Sequence, residues 1–338
     1  MKGIKLKDIA ERFNVSVSTV SKAISGYSDI RNETKKKILE YVKKVNFRPN
    51  SIASSLKTKK TKTIGIVIPD MQNLFFTKIL QSIVNSATSE GYRSILTCSN
   101  ESYEREVECV DELINNKVEA IFIALSDKTT EYLHLQRIKD SEIILIQFDK
   151  ISKIIPSSSV TTNNIESAFE ITERLIKYGR RKIAHLRGGY ISQVSIDRFI
   201  GYQRALEKHK IEFDKNLVMI SEQRSFEEAM LKVQEMIDKA IDFDAVFAID
   251  DKTAMGIIKC LSLNKIKIPD QVAVVGFSNA AYSKYLSPSL SSIDQSSEQF
   301  GTEIMRLFIE EKKLKKLSLE YTFSQVKIPT HFVRRESF

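Results

Sequence analysis

Apolar positions along the chain fall into two regimes. In Leu6 to Phe13 the apolar residues Leu6, Ile9, Ala10 and Phe13 recur at three- and four-residue steps, which predicts a helix with one buried face. Asn14 then supplies a residue that tolerates the left-handed backbone of a tight turn. Ser16 is placed to cap a second helix over Val17 to Ser25. On that helix Val20, Ala23 and Ile24 share one arc, and Val17, Ser18, Ser21, Lys22 and Ser25 share the other. Ile38, Leu39, Val42 and Val45 predict the apolar side of a third helix that closes a small core.

From Thr63 onward the period changes. Apolar runs predict strands at TIGIVIPD, YRSILTCS, AIFIALS, IILIQFD, KIAHLRGG, DAVFAIDD and VAVVGFS, separated by amphipathic stretches of helix length. Strands this apolar, spaced by helices, imply parallel sheets covered on both faces. The alternation runs once to about Asp149, stalls through Pro156 and the Ser157–Ser159 cluster, and restarts. Two similar lobes with a cleft between them follow.

Charge changes the picture for the first regime. Residues 1–62 hold 16 Lys and Arg against 5 acids, a net +11 within a whole-chain charge of +9, so the remaining residues sum to −2. A basic excess segregated in this way is the footprint of a polyanionic partner. The arc of Val17, Ser18, Ser21 and Lys22 is small enough to enter the DNA major groove, with Lys22 in reach of a guanine edge or a phosphate. The alternative is an ordinary amphipathic helical hairpin.

The strings LKDIAERFNVSVSTVSKAIS and ISGYSDIRNETKKKILEYVKKVNFRPNSIASSL resemble the DNA-binding headpiece and hinge of the lactose-repressor (LacI/GalR) family. The resemblance implies that Val17, Ser18 and Lys22 read bases, with Ser16, Thr19, Ser21 and Thr34 near phosphates. It also implies that RPNSIASSL is a hinge helix which folds on DNA and places Leu56 between base pairs in the minor groove. Physically, Asn50 can cap such a helix and Ile52, Ala53 and Leu56 share a face, but a helix this short needs DNA or a partner to persist. A plain linker is the other reading of that segment.

The resemblance runs to the C terminus and implies an N-terminal all-α helix-turn-helix headpiece plus an α/β, two-lobed, periplasmic-binding-protein-like core with parallel sheets. The expected domains are a headpiece over 1–47, a hinge and linker over 48–60, and an effector-binding and dimerisation core over 61–338. Within the core, lobe 1 is expected at about 61–162 plus 296–320, and lobe 2 at about 163–295 plus 321–338.

Open parallel sheets bind ligands beyond the carboxyl ends of their strands. The residues there include Asp70 to Phe76, Ser126 to Lys128, Asp149 and Lys150, Arg187 to Tyr190, Asp250 and Asp251, and Ser278 and Asn279. Phe75, Phe76 and Tyr190 suit the C–H faces of a hydroxylated ring. By resemblance Asp149, Arg198 of SIDRFIGY, Asp250 and Gln295 contact the effector. Ser278 stands where the family often has an acid, so specificity is not copied from a familiar sugar repressor. Arg187 at a strand end and Arg198 together suit a carboxylate or phosphate, which points to an acidic or phosphorylated sugar. Pairing of Arg187 with a neighbouring acid is the alternative.

No GxGxxG, P-loop, HExxH or GxSxG is present, and the four histidines, His134, His185, His209 and His331, have no ligand spacing. Neither a catalytic residue, a metal nor a cofactor is expected. Three scattered cysteines and the lack of a signal peptide or long apolar run fit a reducing cytoplasm. The sequence thus points to a cytoplasmic, ligand-responsive, sequence-specific transcription regulator, with repression and activation both open. Its expected partners are a near-palindromic double-stranded operator, a sugar-like effector and a second copy of itself, with no membrane. A DNA-bound architectural protein whose core binds no small molecule is the competing reading.

Overall fold

The computed structural model describes residues 4–24, 30–45, 47, 61–318 and 322–338. The chain divides into two compact units, Met1–Thr61 and Lys62–Phe338.

In the first unit α1 (Leu6–Arg12), α2 (Val17–Ile24) and α3 (Asn32–Lys44) close on Ile9, Ala10, Val20, Ala23 and Ile38. Asn14 takes the left-handed conformation between the first two helices, with φ 49°. The third helix is turned slightly from expectation. Leu39 is 39% exposed, whereas Tyr41 packs on the core with its ring edge-on to Phe13 at 5.6 Å and under the Arg12 guanidinium at 4.5 Å. An amphipathic ring with a polar tip takes that half-buried position more readily than leucine, because its hydroxyl stays wet.

The second unit holds two six-stranded sheets. The first comprises β1 (Thr63–Ile68), β2 (Arg93–Cys98), β3 (Ala120–Ile123), β4 (Ile144–Phe148), β5 (Ser158–Thr162) and β11 (Gln325–Ile328), in the order β11-β5-β4-β3-β1-β2, with every pairing parallel. The second comprises β6 (Ile183–Arg187), β7 (Val218–Ile220), β8 (Ala245–Ala248), β9 (Ala273–Phe277), β10 (Ser291–Asp294) and β12 (His331–Val333), in the order β12-β10-β9-β8-β6-β7. Only the edge strand β12 runs antiparallel in it.

Helices cover both sheets: α4 (Leu74–Ser89), α5 (Tyr103–Asn115), α6 (Leu133–Asp140) and α11 (Ser297–Lys316) on the first, and α7 (Asn164–Lys177), α8 (Gln193–Lys208), α9 (Phe226–Asp238) and α10 (Asp251–Leu263) on the second. The fully buried strands β1, β3, β4, β6, β8 and β9 follow from near-continuous apolar runs.

Two expectations change. The serine-rich segment read as a stall is β5, a buried strand whose small hydroxyl side chains fit beneath α11. The lobe boundary also shifts, because β11 pairs with β5: residues 322–328 belong to lobe 1, not lobe 2. The chain therefore passes between lobes three times, after Thr162, after Asp294 and after Ile328. These crossings are tied to one another. Gln295 Nε2 donates to Thr162 Oγ1 at 3.2 Å, Ser167 and Thr330 share a hydroxyl contact of 2.6 Å, and Ser296 Oγ donates to the Pro329 carbonyl at 3.2 Å.

Candidate nucleic-acid interface and ligand cleft

In the first unit Ser16 caps α2 as expected: its Oγ accepts from the Thr19 amide at 3.1 Å and contacts the hydroxyls of Thr19 at 2.8 Å and Ser18 at 2.7 Å. With Val20 and Ala23 buried, the same helix presents Val17, Ser18 and Lys22 to solvent, with Ser21 half-buried beside them. Val17 is 44% exposed. An exposed valine at a helix start serves no core, and its methyls suit contact with a thymine methyl. Thr34 lies in the first turn of α3, half-buried. Asn50, Ala53 and Leu56, and with them the proposed hinge helix, lie outside the described residues.

Between the lobes of the second unit lies a cavity of about 580 Å³. Its walls come from strand ends of both sheets, with Asp70, Asn73, Glu101 and Asp127 from lobe 1 and Ser192, Glu222, Arg224, Asp250 and Ser278 from lobe 2. Behind it is a chamber of about 20 Å³, room for a single water. Phe75, Phe76, Asp149, Arg198, Asp250, Ser278 and Gln295 all meet at this chamber, although they come from distant parts of the chain. Phe75 and Phe76 touch it only from the lobe 1 core, where Phe75 packs edge-on to Phe300 at 5.7 Å.

The chamber sets buried charged and amide groups among the rings of Phe75, Phe76 and Phe277. Asp149 is buried, has a left-handed φ of 54°, and leaves Oδ1 without a hydrogen-bond partner. Burial raises its pKa, against the pull of Arg198 and Lys150. Arg198 donates from Nε to Asn164 Oδ1 at 2.9 Å and from Nη1 to the Ile249 carbonyl, and its guanidinium lies over Phe277 at 3.5 Å. Burial, and then the nearby Arg224 guanidinium, lower the Arg198 pKa from the usual arginine value. An unsatisfied buried acceptor and a buried fork of donors at one chamber suit a ligand carrying both hydroxyl hydrogens and oxygens.

An ion-pair chain that the sequence did not reveal crosses the cleft. Lys150 Nζ lies 2.7 Å from Glu101 Oε1 and 2.9 Å from Asp127 Oδ2, and Arg224 Nη1 reaches the same Asp127 oxygen at 2.9 Å. Arg224 also lies 3.2 Å from Asp250 Oδ2. Burial opposes each charge, yet Lys150 and Arg224 hold the Asp127 carboxyl well below its ordinary range, and Asp127 with Asp250 holds Arg224 above its own. Asp127 is fixed from behind. The Ser126 amide donates to the buried Glu106 at 2.6 Å, Thr129 Oγ1 to Glu106 at 2.9 Å, and the buried His134 lies 2.9 Å from the same carboxylate.

Asp127 and Lys150 fall within the strand-end segments singled out from the sequence. Arg224 does not, since it follows β7, a three-residue strand too short to read.

Arg187 departs from expectation and lines neither space. Its guanidinium lies over the rings of Tyr190, at 4.8 Å, and Phe199, at 4.6 Å, and Nε donates to the Gly188 carbonyl at 3.2 Å. Two aromatic faces beside one cation account for this placement, and they also remove Tyr190 from the cleft. The larger cavity meanwhile carries Asp70, Glu101, Asp127, Glu222 and Asp250 against Lys128, Arg224 and Lys252. The anionic-ligand expectation thus loses one of its two arginines and meets an acidic wall.

Among the described residues no group of three or more His, Cys, Asp or Glu could hold a metal ion, and no helix is long and apolar enough to cross a membrane.

Residues 5–50 match the model of bacterial regulatory proteins of the lacI family, and residues 172–338 match that of the periplasmic binding protein-like domain. The chain is 30% identical to the HTH-type transcriptional regulator RegA of Clostridium saccharobutylicum over 307 residues, 90% of this chain and 91% of RegA. It is 28% identical to catabolite control protein A of Staphylococcus xylosus, again over 90% and 91% of the two chains. In fold it matches the lac repressor dimer bound to operator and the anti-inducer ONPF with a TM-score of 0.88 at 18% identity, covering 99% of each chain. The CelR–cellobiose complex matches with a TM-score of 0.74 at 24% identity, over 99% of this chain and 100% of that one. RegA and CelR are transcriptional regulators.

Proposed function

The chain belongs to the LacI family of bacterial regulatory proteins, and from that premise we propose that it is a cytoplasmic repressor-type regulator whose hold on a near-palindromic operator is set by a sugar or sugar derivative bound between its lobes. One small headpiece offers little interface, so a symmetric homodimer is the working unit. Val17, Ser18 and Lys22 read bases, and Ser16, Thr19, Ser21 and Thr34 meet phosphates. Asn50, Ala53 and Leu56 contact the DNA from the segment that follows the headpiece. The effector is held by Asp149, Arg198, Asp250, Ser278 and Gln295, with Phe75 and Phe76 as the apolar wall.

One observation supports the ligand-responsive reading over an architectural one: Asp149, Arg198, Asp250 and Gln295, scattered in sequence, converge on one polar chamber beside a cavity of about 580 Å³. A protein blind to small molecules has no use for a buried, unpartnered Asp149 oxygen there. The acidic cavity wall favours a neutral hydroxylated ligand over an anionic one. CelR, similar in fold, is known as a complex with cellobiose, which supports a sugar here too. Binding at three tied crossings changes lobe orientation, and a coupling of about 1–3 kcal/mol to DNA affinity is typical of such devices.

The test is to select DNA from a random pool with the full-length protein, then titrate it by fluorescence polarisation with neutral mono- and disaccharides, sugar acids and sugar phosphates. A neutral sugar is expected to shift the DNA dissociation constant at least fivefold. If no compound of any class binds, the core is ligand-blind and the architectural reading replaces this one.

A further inference from the structure

The cavity of about 580 Å³ and the chamber of about 20 Å³ share four wall residues, Asn73, Arg224, Asp250 and Ser278. Of these, Arg224 has the longest and most flexible side chain, and its guanidinium spans the cleft from Asp250 on one lobe to Asp127 on the other. Asp149, Arg198, Val194 and Gln295 border the inner chamber and not the outer cavity. A ring-sized ligand in the outer cavity meets Asp250 and Ser278 directly, whereas Asp149, Arg198 and Gln295 lie beyond the wall to which Arg224 belongs.

We propose that Arg224 is a gate between the two spaces, closed while it pairs with Asp127 and Asp250 and swung aside when the effector enters. Taking the cleft as the effector site, this makes Arg224 a specificity-determining residue. Opening leaves each carboxylate with a polar partner. Asp127 keeps Lys150 at 2.9 Å, and Asp250 keeps the Thr253 amide at 2.9 Å through its other oxygen. A rigid tie between lobes would instead need partners that have no substitute. Ligand hydroxyls that donate to the vacated Asp250 and Asp127 oxygens complete the exchange, so a ligand lacking donors there cannot open the gate.

The experiment needs neither DNA nor effector. Val194→Cys puts a thiol of similar volume in the chamber wall, and methyl methanethiosulfonate labelling of the full-length protein is followed residue by residue by mass spectrometry. The partly exposed Cys98 and the buried Cys109 and Cys260 serve as internal references. With Arg224 intact, the introduced chamber thiol is expected to label at least tenfold more slowly than Cys98. Arg224→Ala in the same background should raise the labelling rate of that thiol at least tenfold, and Asp127→Asn, which removes one latch point, by a smaller factor. An unchanged rate in both variants overturns the gate. An equal rise at Cys109 and Cys260 overturns it too, since general loosening then explains the labelling. Either outcome leaves the regulator reading to be decided by the DNA titration.

Discussion

The amide of Gln295 donates to the hydroxyl of Thr162 at 3.2 Å, joining two of the segments along which the chain passes between its lobes. Gln295 also borders the inner chamber, so one side chain touches both the ligand space and the crossings between the lobes. Gln295→Met keeps the length and apolar bulk of the side chain but removes the amide. The expected result is a stability loss of about 0.5–1.5 kcal/mol in urea titration, typical of one hydrogen bond. DNA affinity without effector should stay within twofold, while the sugar-induced shift falls at least fivefold. A full effector response in this variant excludes Gln295 from the coupling.

On the headpiece, Lys22→Ala should weaken binding to the selected DNA by about 1–3 kcal/mol if the lysine reads a base, and weaken binding to random DNA less. Equal losses on both identify a phosphate contact. Leu56→Gly tests the hinge: gel-shift affinity should fall sharply while the core's thermal midpoint is unchanged. Wild-type affinity there makes residues 48–58 a linker.

Most of the architecture was legible because burial on both faces writes itself as apolar runs: β1, β3, β4, β6, β8 and β9 each show one. The strand β5 was not, since SSVTT is buried without being apolar; nor was β11, whose QVKI is largely exposed at a sheet edge. In the cleft, residues at strand ends or in the family's motifs were legible. The ion-pair chain was not, because Glu101, Asp127, Lys150 and Arg224 lie in loops separated by intervening helices and strands, and only the fold brings them together. Arg187 misled for a related reason. A strand end predicts where the backbone points, and the rings of Tyr190 and Phe199 then decided where the guanidinium went.

Two buried groups give opposite pH dependences. His185 is wholly buried and neutral, its Nδ1 hydrogen-bonded to the Phe247 carbonyl at 2.9 Å, and burial brings its pKa down to about 3. The unfolded chain binds that proton below about pH 6.5 and the folded chain does not, so this contribution to stability is lost as pH falls from about 6.5 toward 3. Asp251 accepts from the Ala280 amide and the Ser283 and Ser292 hydroxyls, yet burial pushes it up to about 6. Here the folded state holds the proton longer, so stability falls as pH rises from about 4 to 6. Relative to wild type, His185→Phe should therefore gain stability on acidification from pH 6.5 to 4, and Asp251→Asn should lose it. Urea titrations at half-unit pH steps separate the two, and parallel curves for all three proteins contradict both assignments.

Gly201 makes the reach of Arg198 into the chamber a matter of helix packing. A Cβ at Gly201 on α8 would sit 2.3 Å from the Ile165 carbonyl and 2.8 Å from the Ala168 side chain of α7. The absence of that atom lets the two helices approach until Arg198, three residues earlier on α8, donates to Asn164 at the start of α7 at 2.9 Å. Gly201→Ala gains helix propensity worth about 1 kcal/mol but forces the helices apart, and overpacking of this kind costs about 1–3 kcal/mol. The clash is with backbone, which cannot step aside as a flexible side chain does, so the net effect should be destabilising. It should also separate from function in a defined way. Arg198→Ala is expected to abolish the sugar response at nearly normal DNA affinity, and Gly201→Ala to weaken the same response by drawing Arg198 off the chamber while DNA affinity again holds. A Gly201→Ala protein of unchanged thermal midpoint and full sugar response would show that α7 and α8 have slack, and that Arg198 does not depend on their close approach.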